Sequence, residues 1–155
     1  LEHMLQSAAE AETADAETHV VIATLLHDIG HFVVEFPAEM KNFKDTGHDE
    51  AGAALLEPFF SPEIVEPIRL HVRAKRYLCT VEPSYYDKMT KPVKHTFRLQ
   101  GGKMSGSELN KFRALPFAEE AARLRRWCDL GMKPGRKTKV FEEYFPLIRS
   151  VLKGK

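Results

Sequence analysis

The chain has 155 residues, 43% hydrophobic and 29% charged, and its 23 Lys and Arg against 22 Asp and Glu leave a formal net charge of +1. That length and balance describe one globular domain spanning residues 1–155, able to bury its own core. The near-neutral charge gives no basic footprint for nucleic acid and no electrostatic attraction to a membrane. No apolar run reaches the roughly 18 residues of a membrane span, and two cysteines, Cys79 and Cys128, make no disulfide framework, so a cytoplasmic protein is expected.

The chain opens on Leu1-Glu2 within an apparent helix, and residues upstream of this numbering are expected. Residues 1 to about 12 read as that helix, with Leu5, Ala8 and Ala9 on one side and Glu10 and Glu12 on the other. Asp15 is the expected N-cap of a second helix with Val20 to Ile29 as its body, and Gly30 at its end suits a left-handed residue. The charged segment from Glu35 to Gly47 reads as a loop, and a short helix follows from about His48 to Phe59. Ser61-Pro62-Glu63 opens a long helix to about Leu78 with an N-cap, an N1 proline and an early acid. Pro83 breaks the chain, and Thr90 to Gln100 forms a weaker helix stopped by Gly101-Gly102. Helical pattern returns at Ser107–Phe112 and at Pro116–Leu130, and Thr138 caps a last amphipathic helix running through Phe141, Phe145, Ile148 and Leu152. No strand alternates convincingly, so the fold class is all-α, a compact helical bundle.

The stretch Leu25-Leu26-His27-Asp28-Ile29-Gly30-His31 concentrates chemistry. Helix neighbours point about 100° apart, so His27 and Asp28 share an edge and His31 lies one turn on. Ala23, Leu25, Leu26 and Ile29 surround the pair with apolar residues, where unpartnered polar groups are costly. His3 precedes this stretch, His48 and His71 follow on two separate helices, and Asp129 lies near the end of another. Each has an ordinary explanation alone. Together, His3, His27, Asp28, His48, His71 and Asp129 offer enough imidazole and carboxylate ligands for two metals bridged by Asp28.

This His…His-Asp…Asp pattern resembles the HD-domain superfamily, and the two intervening histidines resemble those of its dinuclear members. The resemblance is closer to the PhnZ-type mixed-valent di-iron oxygenases. It rests on Leu-Glu-His-Met-Leu-Gln (1–6), Leu-Leu-His-Asp-Ile-Gly-His (25–31), His-Val-Arg-Ala-Lys-Arg-Tyr-Leu (71–78), Gln-Gly-Gly-Lys-Met (100–104) and Arg-Trp-Cys-Asp (126–129). It implies an HD-type bundle around two Fe ions, mixed-valent Fe(II)/Fe(III), with other divalent metals possible in the isolated protein. His3, His27, Asp28 and Asp129 match the ligands of one iron with Asp28 bridging, and His48 and His71 those of the second. The implied partners are a small phosphonate and O2. The implied reaction cleaves the carbon–phosphorus bond of a 1-hydroxyphosphonate into carboxylate and phosphate.

Lys75 and Arg126 match residues that hold the phosphonate. Each shares a helical face with a proposed ligand, Lys75 four residues after His71 and Arg126 three before Asp129. Arg69, Arg73, Arg76, Arg123 and Arg125 are read as surface charges. Thr96 and Gln100 are expected at the substrate, His31 beside it or behind the ligands, and Val93 stands where PhnZ-type enzymes carry a pocket serine. Two other readings of the same ligands stay open: a metal-dependent phosphohydrolase that attacks a phosphoester or nucleotide with metal-bound hydroxide, and a non-catalytic metal-containing binding module.

Overall fold

The computed structural model describes residues 1–32 and 47–154. The chain forms α1 (Glu2–Thr13), α2 (Thr18–Leu26), a 3₁₀ turn (Ile29–Phe32), α3 (His48–Leu56), α4 (Pro62–Val81), α5 (Pro83–Asp87), α6 (Lys91–Leu99), α7 (Gly106–Arg113), α8 (Ala118–Leu130), a second 3₁₀ turn (Phe141–Tyr144) and α9 (Phe145–Ser150). Among the described residues there is no strand, only an isolated bridge between Phe60 and Leu152. The fold is all-α, as the sequence implies.

Helix α2 is the axis. Val20 through Leu26 are all buried, and a helix apolar all round must be enclosed by others. Its one polar interior group, the Thr24 hydroxyl, donates back to the Val20 carbonyl at 2.8 Å. Helices α1, α4 and α8 surround it, α3 packs across α4, and their apolar faces meet in one core of Ala8, Ala11, Ile22, Leu25, Ile64, Ile68, Leu124 and neighbours. A smaller core of Leu70, Ala74, Met104, Phe112 and Ala121 joins α4, α7 and α8.

Helix boundaries follow local chemistry more closely than the sequence reading. Asp15 does not cap α2: it takes a left-handed φ of 51° and Glu17 occupies the N-cap. The body of α2 also ends earlier, so His27 and Asp28 sit in the turn after it and His31 lies in the 3₁₀ turn. Pro83 starts α5 rather than merely breaking the chain, its fixed φ suiting a first helical position. Ser105 and Glu108 form a full capping box, which starts α7 ahead of Ser107. The last helix splits into a 3₁₀ turn and α9, with Val140 rather than Thr138 at its N-cap. In α1 the buried stripe is Met4, Ser7, Ala8 and Ala11, a slightly rotated version of the expected face. The expected loop from Glu35 lies, up to residue 46, outside the described residues.

Gly30 has a different role from the one its position implies. Its φ is not positive. A Cβ there would overlap the His48 carbonyl oxygen and press on the Gly52 nitrogen. The missing side chain therefore lets the turn after α2 touch the start of α3, which sets His48 beside Asp28.

Candidate metal centre

The centre forms where α2 ends against α1, α3, α4 and α8. Three of its imidazoles are aimed in the same way. Nδ1 of His27 lies 2.7 Å from the Thr24 carbonyl, Nδ1 of His71 2.6 Å from that of Ile68, and Nδ1 of His3 3.0 Å from that of Gly131. A carbonyl only accepts, so each Nδ1 carries the proton and each Nε2 is turned into the site. Gly131 reaches His3 because it packs directly on Ser7, where a Cβ would collide with both side chain and backbone.

Asp28 stands at the middle. Its carboxylate lies 3.4 Å from Nε2 of His27, 3.6 Å from those of His3 and His48, 3.8 Å from that of His71 and 3.9 Å from that of His31. Nε2 of His48 and His71 are 3.1 Å apart. Donor atoms form two groups, the atoms of each within 4.8 Å of one another: His3, His27 and Cys128 in one, and Asp28, His48 and His71 in the other. His31 is 44% exposed and stacks on His48 with ring centres 4.1 Å apart, at the mouth of the site.

The site's electrostatics suit a cation. Burial, with His31 and other positive neighbours, pushes His48 down to about 4, and burial with His27 and His48 drives His71 well below the ordinary imidazole range. Both are neutral imidazoles at neutral pH, the form that can bind a metal. Burial would raise Asp28, but the surrounding histidines outweigh it and keep the carboxylate ionised. His3 is carried up to about 9, chiefly by its hydrogen bond to Cys128. Burial would raise the Cys128 thiol, but Arg125, His27 and His3 bring it down to about 6. Burial would lower His27, but Cys128 and Asp28 outweigh it and raise it.

Beside the cluster lies a cavity of about 310 Å³ lined by His3, Asp28, His31, His48, Lys75, Gln100, Arg125 and Cys128, among others. Lys75 is buried, and burial, followed by Arg125, lowers it from the usual ammonium range. Among the described residues, the buried side-chain nitrogen and oxygen atoms with no hydrogen-bond partner are His27 Nε2, Gln100 Oε1 and Arg125 Nε. All three belong to this one site, and buried polar groups rarely stay unpaired without a functional reason.

Two expected members are elsewhere. Asp129 lies in neither donor group and accepts hydrogen bonds from the Tyr85 hydroxyl and the Arg125 guanidinium. Arg126 is 43% exposed and forks onto Glu82, lining cavities away from the imidazoles. The residues before each, Cys128 and Arg125, take the inward places. Their phase was readable: Ala121, Leu124 and Cys128 form the buried stripe of α8, and Arg125 flanks it. Reading Arg125 as a surface charge missed this. Thr96 also lies off the cavity, exposed on α6 with its hydroxyl on the Pro92 carbonyl, and Val93 lines a separate pocket with Tyr85, Met89 and Met132.

The HD-domain family profile matches residues 1–108. The chain is 41% identical over 98% of its length to the hydroxymethylphosphonate dioxygenase of Gimesia maris, covering 77% of that protein. It is 36% identical over 97% of its length to the [1-hydroxy-2-(trimethylamino)ethyl]phosphonate dioxygenase (glycine-betaine-forming) of Leisingera caerulea, covering 78% of it. This chain belongs to the HD-domain family. The HD pair is His27-Asp28, and relatives named as phosphonate dioxygenases match nearly the whole chain, the helices that carry Lys75 and Arg125 included. An uncharacterised protein, L432, of Acanthamoeba polyphaga mimivirus is 30% identical over 93% of the chain, covering 67% of its own length. Membership implies a metal, and the residues fit one. His27 Nε2 is fully buried, stripped of its proton by the Nδ1 bond in the neutral ring and without a partner, beside a carboxylate and further imidazoles. No helix among the described residues is long and apolar enough to cross a membrane.

Proposed function

We propose that this protein is a di-iron oxygenase that cleaves the carbon–phosphorus bond of a 1-hydroxyphosphonate with O2. The observation carrying this reading is the pairing, in one cavity, of an imidazole–carboxylate cluster with two cations, the buried Lys75 and the partly buried Arg125, and the unpartnered Gln100 Oε1. Its relatives' names point the same way. Two iron ions held among His3, His27, Asp28, His48 and His71, one Fe(II) and one Fe(III), would supply the oxygen-activating chemistry.

The protein's own residues bind and orient. Lys75 offers a point charge and Arg125 a planar fork, together suited to the three oxygens of a phosphonate. Asp129, itself held by the Tyr85 hydroxyl, holds the Arg125 guanidinium in place, so Asp129 acts through Arg125. Gln100 Oε1, an acceptor without a donor, suits the substrate hydroxyl. His31, over the mouth and stacked on His48, closes the cavity from solvent. In a balanced reaction the carbon–phosphorus bond breaks, the hydroxyl-bearing carbon is oxidised to a carboxylate and phosphate leaves, with both atoms of O2 taken into products and one proton released. No outside reductant is needed. Cys79 and Cys128 are free thiols, which suits a reducing compartment such as the cytoplasm.

The test is substrate range under controlled oxygen. Iron-loaded protein given a panel of 1-hydroxyphosphonates should release phosphate in air and none under argon, while phosphonates lacking the hydroxyl should stay intact. Phosphate released equally with and without O2 would reject the oxygenase.

A further inference from the structure

Resting on the metal-centre reading above, we propose that Cys128 is a metal ligand: its thiolate takes, at the His3–His27 end of the cluster, the place that the His…His-Asp…Asp pattern gives to a carboxylate. The centre is then asymmetric. One position draws on His3, His27 and a sulfur, the other on His48 and His71, and Asp28 lies between.

Four observations carry this. Sγ of Cys128 lies 3.4 Å from His3 Nε2, and its donor atom groups with those of His3 and His27 within 4.8 Å. His27, with 0% of its surface exposed, turns an unpartnered Nε2 into that same group, so a ligand is called for there independently of the cysteine. The carboxylate that could compete, Asp129, is one residue further along α8, about 100° round the helix, and is held by Tyr85 and Arg125. Finally, the other cysteine shows what a structural thiol looks like here: Cys79 is buried, faces the Met89 sulfur at 3.5 Å, and lies in neither donor group.

A thiolate carries the same single negative charge as the carboxylate it replaces, so the total charge of the centre is unchanged. Its softness is not. Sulfur favours thiophilic ions such as zinc, cobalt and iron over magnesium, calcium or manganese, and binding releases the thiol proton. The sulfur-bearing position should therefore prefer a different metal from the all-nitrogen-and-oxygen one.

Cobalt(II) is the probe, because cobalt bound to a thiolate shows a near-ultraviolet charge-transfer band that nitrogen and oxygen ligands do not give. Wild-type protein and Cys79→Ser should show the band on cobalt titration, and Cys128→Ser should lose it. Cobalt affinity at that position should fall by more than the roughly 10–100-fold typical of an outer-shell partner. Cys128→Asp should restore binding without the band. X-ray absorption on the wild-type protein loaded with zinc should show a sulfur neighbour at about 2.3 Å, a measurement that does not depend on any variant folding. Cobalt binding without the band, or a band that survives in Cys128→Ser, would overturn the assignment while leaving the metal centre standing. Failure of the wild type to bind cobalt, iron or zinc would remove the metal centre itself, and this inference with it.

Discussion

Replacing each of two adjacent arginines separates the cation of the cavity from the cation of the surface. Arg125 is 14% exposed and bonded to Asp129, and the Tyr85 hydroxyl completes the arrangement. Arg125→Ala takes one of two partners from the Asp129 carboxylate, itself 32% exposed, whereas breaking a fully buried pair costs about 3–5 kcal/mol. The residual exposure puts the expectation near the lower end. Arg125→Lys keeps the charge but loses the fork, and losing a charge-assisted bond to the bound oxyanion should cost ~1.5–3 kcal/mol, roughly ten- to a hundredfold in affinity. Arg126 and Glu82 are 43% and 37% exposed, so Arg126→Ala should cost about 0–1 kcal/mol in stability and nothing in anion affinity. The assays are urea denaturation for stability and calorimetric titration of the metal-loaded protein with phosphate. Arg125 is not the cavity's cation if Arg126→Ala weakens phosphate at least as much as Arg125→Lys does, or if Arg125→Ala unfolds no more easily than wild type.

Asp28→Ala should lose most of the bound metal from both positions, as measured by metal analysis after gel filtration; a full complement would dismiss its central place. Gly30→Ala forces a Cβ into the His48 carbonyl oxygen. Because backbone yields less than side chain, the cost should reach or exceed the ~1–3 kcal/mol of ordinary overpacking, with metal lost alongside; wild-type stability and metal content together would refute it. Glu10 ties α1 to the chain beyond Gly131 through Lys133 and Arg136. Burial would raise its carboxyl, but those two cations hold it below the usual range. A depressed carboxylate contributes stability above its unfolded pKa and loses it as pH falls through the folded one. Glu10→Gln should therefore cost up to about 1 kcal/mol at neutral pH, and the gap from wild type should close as the pH drops below the carboxylate range; a gap that widens in acid would contradict this.

Much of the centre was legible because imidazoles declare themselves. His3, His27, Asp28, His48 and His71 are rare, reactive residues on or beside apolar helical faces, and the structure brings all five together. The fold class was legible for a similar reason, since α2 is apolar on every side and α4 announces its start with Ser61 and Pro62. What was not legible turned on a single step of helical phase. Asp129 and Arg126 have the residue types that metal and phosphonate sites use, so chemistry favoured them over Cys128 and Arg125. Packing decided otherwise: Ala121, Leu124 and Cys128 fix which side of α8 faces in, and 100° of rotation carries Asp129 out to Tyr85. The role of Gly30 was hidden for another reason. A close approach between two backbones leaves no trace in local sequence, whereas a left-handed turn is the usual meaning of a glycine after a helix.

An oxygenase of this kind must consume O2 to break the carbon–phosphorus bond. The most direct measurement follows dissolved oxygen and released phosphate together in a single vessel of iron-loaded protein and hydroxymethylphosphonate. One O2 should be consumed for each phosphate formed, with no added reductant and no reaction before oxygen is admitted. Phosphate accumulating at constant oxygen, or faster release from simple phosphoesters under argon, would contradict it and make the protein a hydrolase built on the same ligands.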